Sequence, residues 1–496
     1  MLFAGAGLRA WFMWSYRPAF VGYPDARAYI LAARGPLYWN PYKPVGYPLF
    51  LRGLRAIDGR LSVTVAAQHA LGLASGGVAY AMTARVLRRR GLALLPAAVV
   101  LLGGSQVFLE HAILSDAPYT FLLTIVLYCG VRGLAGGSDL RWLAGAGLAL
   151  AASVTMRTVG VFLIPVVAGW AAGSATADTS AGSRRAGALL LCSAAPLAGY
   201  LVAQHSVTGS WGLTRSTNFA LYARLAPLAD CSRLKPPPGT EGLCEQSAPR
   251  SRPNANWYIF DLDSPAIRHY GVPPWPLERV PPAAYRWPGN EPTGRFARAV
   301  LRAQPLDYLA SVLEGLANYV RPRAGRPSVF EYDQRKLIAE LHNERFEAAA
   351  GPDIASYYTS SGRYLRRNVR ALESFGRAAR TEGPLTAVLA IGAAAGVLLA
   401  RGTTARAACL FASSALSLAA APVALLFYDV RYAAPMAVPL TAAAAIGLDR
   451  LCDRSARRSS PLAGSSRCGV RRASAGCARC SLRGPSCAWR RWPAVG

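Results

Sequence analysis

The sequence predicts an all-α polytopic membrane protein with roughly ten transmembrane helices and a mixed extracytoplasmic domain. Of its 496 residues, 52% are hydrophobic and only 16% are charged, a balance more typical of membrane proteins than of soluble ones. The apolar residues gather into windows of about 15 to 25 residues, the length that a helix needs to cross a bilayer. Basic residues gather in every second connection between these windows, as the positive-inside rule requires.

Each apolar window is assigned one helix. In chain order the windows cover residues 2–16, 61–82, 92–109, 117–134, 142–155, 158–173, 187–204, 384–400, 405–427 and 431–448. With a cytoplasmic N-terminus, both ends of the chain then lie in the cytoplasm. The windows at 142–155 and 158–173 are short and are separated only by Met156 and Arg157, so a broken or re-entrant hairpin is an alternative to two full spans.

These windows divide the chain into four parts. An N-terminal membrane module at 1–204, with outer loops at 17–60 and 110–116, precedes an extracytoplasmic domain at 205–383. C-terminal membrane helices follow at 384–448, and the composition of the basic tail at 449–496 predicts a disordered cytoplasmic segment. The segment at 205–383 is too long for a linker, which is why we assign it to a folded domain.

The predicted extracytoplasmic domain at 205–383, called the outer segment below, differs in composition between its early and its later part. Its early part is rich in proline, as in Lys235-Pro236-Pro237-Pro238 and Pro273-Pro274-Trp275-Pro276, which predicts irregular or extended structure. Its later part has apolar residues at helical spacing, namely Leu337, Ile338, Leu341 and Phe346, then Leu365, Val369, Leu372 and Phe375. Two interpretations fit this pattern: an amphipathic helix at the membrane surface, or a helix packed on its own domain.

The net charge of +29 would indicate a nucleic-acid partner if the protein were soluble. Here the arginines flank apolar windows, where they orient helices in the bilayer. We therefore expect a multi-pass protein of the plasma membrane, with the lipid bilayer as its surroundings and no nucleic-acid partner.

Cysteine usage fits this layout. Cys231 and Cys244 lie in the outer segment, where a disulfide between them is possible. Cys129, Cys192 and Cys409 lie within spans, as small apolar residues. In the tail, Cys477 and Cys480 form a lone CxxC that no histidine follows, so zinc binding is not expected there. No cofactor is predicted, and a divalent cation is possible but not required by the sequence.

The likeliest place for chemistry is the loop after the first span. It contains Asp25, in Tyr23-Pro24-Asp25-Ala26-Arg27, and then Lys43, in Lys43-Pro44-Val45-Gly46-Tyr47. A carboxylate held at the membrane surface suits the removal of a proton from an acceptor hydroxyl, and a nearby cation suits a departing phosphate. Because Asp25 precedes no apolar run, helix capping is a weaker alternative for it than for Asp116.

Further charged residues fall at the outer ends of apolar windows. Glu110 and His111 end one window and Asp116 opens the next, so these groups can orient a loop, bind a cation or tune a neighbouring base. For Asp116, capping of the following helix is the alternative. Arg157 and Arg431 are candidate phosphate ligands. Their alternatives are snorkelling of Arg157 to the interface and pairing of Arg431 with Asp429.

Four strings together resemble motifs of the membrane glycosyltransferases of the C-type fold that use polyprenyl-phosphate sugars, the group that contains protein O-mannosyltransferases and the lipid A aminoarabinose transferase. The strings are Asp25-x-x-x-Tyr29, Lys43-Pro44-x-Gly46-Tyr47, Glu110-His111 through Asp116-Ala117-Pro118, and Arg431-Tyr432-x-x-Pro435 with Pro439. The resemblance covers residues 1 to about 170 and about 425 to 450. One departure is Ala26, which stands where many members carry a second carboxylate, so that position offers no metal ligand or acceptor contact.

The resemblance implies an inverting glycosyl transfer on the extracytoplasmic side of the membrane, with Asp25 as general base on an acceptor hydroxyl. Lys43 would steady the departing phosphate, helped by Arg431 or Arg157. Tyr29, Glu110, His111 and Asp116 would support the acceptor or orient loops. The donor would be a polyprenyl-phosphate sugar, and the acceptor a glycan, lipid or protein that the sequence does not identify.

Two other classes of function are open at this point. A transporter or lipid flippase would also carry charges near its spans, although transporters place essential charges near the bilayer midplane and show internal repeats. In this sequence the charges gather at outer helix ends, and no repeat is visible. A non-catalytic membrane scaffold is the second alternative, and it predicts that Asp25→Asn leaves activity in cells unchanged.

Overall fold

The chain folds almost entirely into helices, as predicted. The computed structural model describes residues 1–134, 140–174, 179–273, 287–322, 338–342, 344–359 and 364–458. Residues 1–453 form one compact unit. The only sheet in the described part of the chain is a pair of two-residue strands, β1 (Tyr16–Arg17) and β2 (Leu365–Arg366), with Tyr16 opposite Arg366.

The helices follow the predicted windows closely. Up to residue 208 they are α1 (Leu2–Ser15), α2 (Pro24–Arg34), α3 (Gly46–Ile57), α4 (Leu61–Ala84), α5 (Leu94–Leu102), α6 (Gly104–His111), α7 (Asp116–Leu134), α8 (Leu140–Met156), α9 (Leu163–Gly173) and α10 (Thr179–Thr208). The outer segment holds α11 (Thr217–Leu225), α12 (Ala255–Phe260), α13 (Pro265–Tyr270), α14 (Asn290–Ala303), α15 (Pro305–Ala317), α16 (Glu344–Tyr357) and α17 (Val369–Ala378). The last membrane helices are α18 (Pro384–Leu399), α19 (Gly402–Leu425) and α20 (Ala433–Arg458).

Several of these helices have the length and composition of membrane spans. Among the described residues, the spans Asp116–Leu134, Thr179–Thr208, Gly402–Leu425 and Val430–Ser455 are long and apolar enough to cross a bilayer. Three shorter apolar helices cover Leu140–Met156, Thr158–Gly173 and Pro384–Leu399. The protein is therefore a helical membrane protein, and all ten predicted windows are helical.

The window at 92–109 is not one straight helix. It breaks at Gly103, and the two pieces, Arg90–Leu102 and Gly104–His111, meet at an angle of 42°. The break has a local cause, because Gly103 adopts extended backbone angles and the Gly104 amide donates to the carbonyl of Ala379, 2.7 Å away, outside the helix. This bend carries Glu110 and His111 toward α1 and α4.

The outer loop at 17–60 contains two helices, α2 and α3, which the sequence does not predict. Pro24 occupies the first turn of α2 and Asp25 follows it, a favourable start because proline fixes the backbone angle and an acid complements the helix dipole. Helix α3 starts at Gly46, where a Cβ would lie 2.4 Å from Thr155 Oγ1. Only glycine allows α3 to approach α8 this closely.

The outer segment has its own apolar core. Helices α11, α12 and α14 bury large side chains against each other, including Tyr222, Tyr258 and Phe296. The predicted disulfide between Cys231 and Cys244 is confirmed. In the proline-rich part, the residues between Ala229 and Thr240 form no regular element, also as predicted.

The later part of the outer segment packs on the membrane module. Leu365 lies in β2 rather than in a helix, which corrects the predicted pattern, and α17 begins only at Val369. Leu372 is fully buried, and the ring of Phe375 lies 5.7 Å from that of Phe12 in α1. Neither interpretation is met in full: α17 is a packed helix, but its apolar residues contact α1 of the membrane module and not the apolar core of its own domain. Outside the described residues lie Leu337, the side chain of Phe346, the Pro274-Trp275-Pro276 string, and the tail with its CxxC.

Candidate functional site

Asp25 lies at the start of α2 beside the two cations that the sequence singles out. Its Oδ1 is 2.6 Å from Lys43 Nζ, and its Oδ2 is 3.0 Å from Arg431 Nη1. Each carboxylate oxygen thus accepts from a different cation. The structure brings together three predicted site residues that are up to 406 positions apart in the chain.

A short turn fixes the position of Lys43. The side chain of Asn40 accepts hydrogen bonds from the backbone amides of Tyr42 and Lys43, each at 2.9 Å. Such an Asx turn replaces the backbone bonds that an irregular segment lacks. The Lys43 ammonium also lies 5.2 Å from the centre of the Tyr29 ring, one helical turn after Asp25 on the same face of α2.

Arg431 is held by a second carboxylate. Asp429 is fully buried, and its side chain accepts from the Arg431 backbone amide at 2.9 Å and from Arg431 Nε at 3.3 Å. The predicted pairing of these two residues is therefore present. It does not exclude a functional role for Arg431, because the same guanidinium also reaches Asp25.

The two carboxyl groups respond differently to their surroundings. Burial raises the pKa of Asp25, but the charges of Lys43 and Arg431 outweigh burial and hold this pKa below its ordinary value. For Asp429 burial dominates, and its pKa is raised although Arg431 opposes the shift. Asp25 is therefore an anion at neutral pH, and its basicity is low while both cations contact it.

These groups line a cavity of about 380 Å³ between the membrane module and the outer segment. Asp25, Lys43, Asp429 and Arg431 form its charged wall. Leu425, Leu426 and Phe427 form an apolar stretch of the lining at the end of α19. The cavity therefore places charged groups next to apolar surface, an arrangement suited to an amphiphile with an anionic head.

Asp116 and Arg157 form a neighbouring ion pair. Asp116 begins α7, and Arg157 follows α8 and donates to the Asp116 carboxylate. The guanidinium also lies 4.8 Å from the centre of the Tyr432 ring. Tyr432 lines the cavity and adjoins Arg431. Tyr29 joins the same region, since its hydroxyl lies 3.0 Å from that of Ser115. These residues are thus next to the charged wall, while Arg157 itself does not line the cavity.

Glu110 and His111 belong to a different, buried network. Both side chains of the Arg9–Glu110 pair are almost fully buried, with Arg9 Nε 2.7 Å from Glu110 Oε2. His69 lies between them and His111, 3.0 Å from Glu110 Oε2 and 3.0 Å from His111 Nδ1. Among the described contacts, none joins Glu110 or His111 to Asp116 or to the cavity. Of their predicted roles, the orientation of a loop is the one that this placement allows.

The outer segment supplies a part of the cavity that the sequence does not predict. Thr214, Ser216, Thr217 and Asn256 line it with hydroxyl and amide groups, and Phe219 and Phe260 with rings. No sequence motif contains these residues, which lie in the part of the chain without a family resemblance. No group of three or more His, Cys, Asp or Glu side chains in the described ranges is arranged to hold a metal ion.

Comparison with known proteins gives matches among solved structures alone. No protein-family profile matches the sequence, and no curated protein matches it significantly. The solved structures that it resembles include a protein O-mannosyltransferase complex, an oligosaccharyltransferase and ArnT.

Three of these structures illustrate the similarity. The oligosaccharyltransferase AglB from Archaeoglobus fulgidus, in complex with an inhibitory peptide and a dolichol-phosphate, has 12% identity and a TM-score of 0.44, covering 90% of this chain and 48% of that one. ArnT from Cupriavidus metallidurans bound to undecaprenyl phosphate has 13% identity and a TM-score of 0.31, covering 86% of this chain and 74% of that one. The S. cerevisiae protein O-mannosyltransferase Pmt1-Pmt2 complex bound to the sugar donor has 19% identity and a TM-score of 0.31, covering 40% and 31%. The chain thus spans about half of the length of AglB and about a third of the matched mannosyltransferase chain.

Proposed function

We propose that this protein transfers a glycosyl residue from a polyprenyl-phosphate sugar to a hydroxyl acceptor on the extracytoplasmic side of the membrane. The observation that carries the proposal is the contact of Asp25 with Lys43 and Arg431 in one cavity with an apolar stretch of lining. A base, two phosphate-binding cations and an apolar surface for a lipid tail are the parts that such a transfer requires. The motifs that contain these residues resemble those of the C-type glycosyltransferases.

In the proposed reaction the acceptor oxygen attacks the anomeric carbon of the sugar while the bond from that carbon to the phosphate oxygen breaks. Asp25 takes the hydroxyl proton, and the polyprenyl phosphate leaves with the bonding electrons. Attack from the face opposite the leaving group inverts the anomeric configuration. Lys43 and Arg431 stabilise the negative charge that grows on the leaving phosphate.

Donor binding also has a consequence for the base. The phosphate of the donor competes with Asp25 for Lys43 and Arg431, which occupy both carboxylate oxygens in this structure. When the phosphate attracts these cations, the pKa of Asp25 rises and its oxygens become available to the acceptor hydroxyl. The donor is therefore expected to bind before the acceptor is deprotonated.

The direct test is a transfer assay with the full chain in membranes and a panel of radiolabelled polyprenyl-phosphate sugars. Incorporation of label into a membrane or envelope fraction, dependent on this protein, is the expected result. If no donor is consumed while the same membranes move a labelled polyprenyl-phosphate lipid between leaflets, the transporter alternative replaces the proposal.

Lys43→Ala is expected to weaken donor use. Loss of one phosphate ligand should raise KM for the donor by about tenfold or more, because charge-assisted contacts to phosphate contribute about 1.5–3 kcal/mol each. The loss also removes one of the charges that lower the pKa of Asp25, so the acid limb of the rate profile should move to higher pH. Steady-state kinetics against donor concentration and pH measure both effects.

Lys235→Ala is the matched control for this prediction, since Lys235 is exposed in the outer segment and does not line the cavity. It should leave KM and the pH profile unchanged. An unshifted acid limb in Lys43→Ala would contradict the assignment of Asp25 as the group that must lose its proton.

A further inference from the structure

The part of the cavity wall that comes from the outer segment is uncharged, and it sets four hydrogen-bonding side chains among apolar ones. Thr214, Ser216, Thr217 and Asn256 supply three hydroxyls and one amide. We infer that this polar wall binds the sugar ring of the donor and selects a neutral, hydroxylated sugar. The inference rests on the proposed function and adds the substrate class to it.

The polar wall is tied directly to the loop that carries Lys43. The Arg215 backbone amide donates to the carbonyl of Pro41 at 2.9 Å, and Arg215 Nη2 donates to that of Trp39 at 2.7 Å. Arg215 thereby holds Ser216 and Thr217 beside the turn that positions the phosphate-binding ammonium. A sugar attached to a phosphate at Lys43 is therefore next to these hydroxyls.

The other side of the polar wall is equally well supported. Asn254 caps α12 by accepting from the Asn256 amide at 3.1 Å, which places Asn256 in the first turn. Two residues later Tyr258 is fully buried in the core of the outer segment, where it packs against Tyr222 of α11. The helices that carry Thr217 and Asn256 therefore share one core, which preorganises these two groups, while Thr214 and Ser216 lie in the segment that leads into α11.

The charges around the cavity argue for a neutral sugar. Its described lining contains two carboxylates, Asp25 and Asp429, and two cations, Lys43 and Arg431. Asp429 pairs with Arg431, and Asp25 is assigned to the acceptor proton, so neither acid is left for the ammonium of an amino sugar. Both cations are assigned to the phosphate, so neither is left for a uronate. Neutral hydroxyls are what the threonine, serine and amide groups can pair with.

The size of the cavity points to a single sugar ring. About 380 Å³ lies near the lower end of the range of about 300–1,000 Å³ for small-molecule sites. This volume is enough for the phosphate and one ring. Rejection of an unsuited ring is expected to be strong, because a charged group would be buried without a partner.

The test compares binding of three probes to the full chain in detergent: undecaprenyl phosphate, its mannose conjugate and its 4-amino-4-deoxyarabinose conjugate. Each probe displaces radiolabelled undecaprenyl phosphate. The mannose conjugate is expected to bind at least tenfold more tightly than the bare phosphate, and the amino-sugar conjugate no more tightly. Thr217→Val and Asn256→Leu should remove most of the gain for mannose without changing the affinity for undecaprenyl phosphate, and Asn256→Asp should favour the amino sugar. Ser251→Ala, an exposed serine of the same segment, is the control.

The outcomes separate the two proposals. If none of the three probes binds, the proposed function itself fails. If undecaprenyl phosphate binds in a manner that depends on Lys43, but the amino-sugar conjugate binds as tightly as the mannose conjugate, the inference about sugar class is overturned and the proposed function stands. Loss of binding of all probes in Thr217→Val, with the protein still folded, would also overturn it, because the wall would then serve the phosphate.

Discussion

Asp25→Asn is expected to reduce glycosyl transfer by about 10²–10⁴-fold, the usual contribution of a general base. Asparagine keeps the shape of the side chain but cannot take the proton from the hydroxyl of the acceptor. The change also removes the anion that competes with the donor phosphate for Lys43 and Arg431, so donor affinity should stay the same or increase. Initial rates of transfer and displacement of labelled undecaprenyl phosphate measure the two effects separately.

The separation of rate from affinity is what distinguishes a base from a structural residue. Asp58→Asn is a matched control, because Asp58 lies in the same outer loop and is also paired with an arginine, Arg60, but does not line the cavity. It should leave both measurements unchanged. If Asp25→Asn turns over a donor as fast as the original protein, Asp25 is not the base. A large loss of donor affinity would instead assign Asp25 to the positioning of the two cations.

The sequence is sufficient to locate the helices because lipid leaves few alternatives. In a bilayer each backbone polar group must be satisfied within its own segment, so an apolar window of sufficient length becomes a helix. The break at Gly103 cannot be predicted from the apolar window, since it depends on a hydrogen bond from Gly104 to Ala379, far away in the chain. Helices α2 and α3 were missed for a related reason: they carry mixed composition and are stabilised by packing, such as the contact of Gly46 with Thr155.

The candidate site also contains residues that the sequence predicts and residues that it does not. Asp25, Lys43 and Arg431 stand in short strings that resemble a known family, and the structure places them in contact. The polar wall has no such signal, because Thr217 and Asn256 line one cavity only when α11 and α12 pack on one core. Glu110 is the opposite case, because the sequence predicts it as a site residue and the structure places it outside the cavity. Its position at the end of an apolar window predicts chemistry, but the bend after Gly103 turns it toward Arg9 and away from the cavity.

Glu110→Ala is expected to destabilise the fold by about 3–5 kcal/mol, because it leaves the Arg9 charge buried without a partner. Glu110 accepts from Arg9 Nε and Nη2, each at 2.7 Å, and from Gln106 at 3.0 Å. The site is tightly closed, since a Cβ on Gly72 would lie 1.9 Å from Glu110 Oε1. The loss is measured by denaturation of the purified protein in detergent, followed by its helical circular dichroism signal.

Two further variants separate the buried charge from the loss of the side chain. Glu291→Ala breaks an exposed Arg–Glu pair, with side chains 42% and 67% exposed, and should cost at most about 1 kcal/mol.

Replacing Arg9 and Glu110 together by leucine removes both charges, and it should recover most of the stability lost in Glu110→Ala, because apolar residues of similar volume often substitute for a buried pair. If the double variant is as unstable as Glu110→Ala, the network stabilises the protein through its hydrogen bonds to Gly5, Val100 and Leu101 rather than through charge balance. If Glu110→Ala is as stable as Glu291→Ala, the buried pair contributes nothing to the fold.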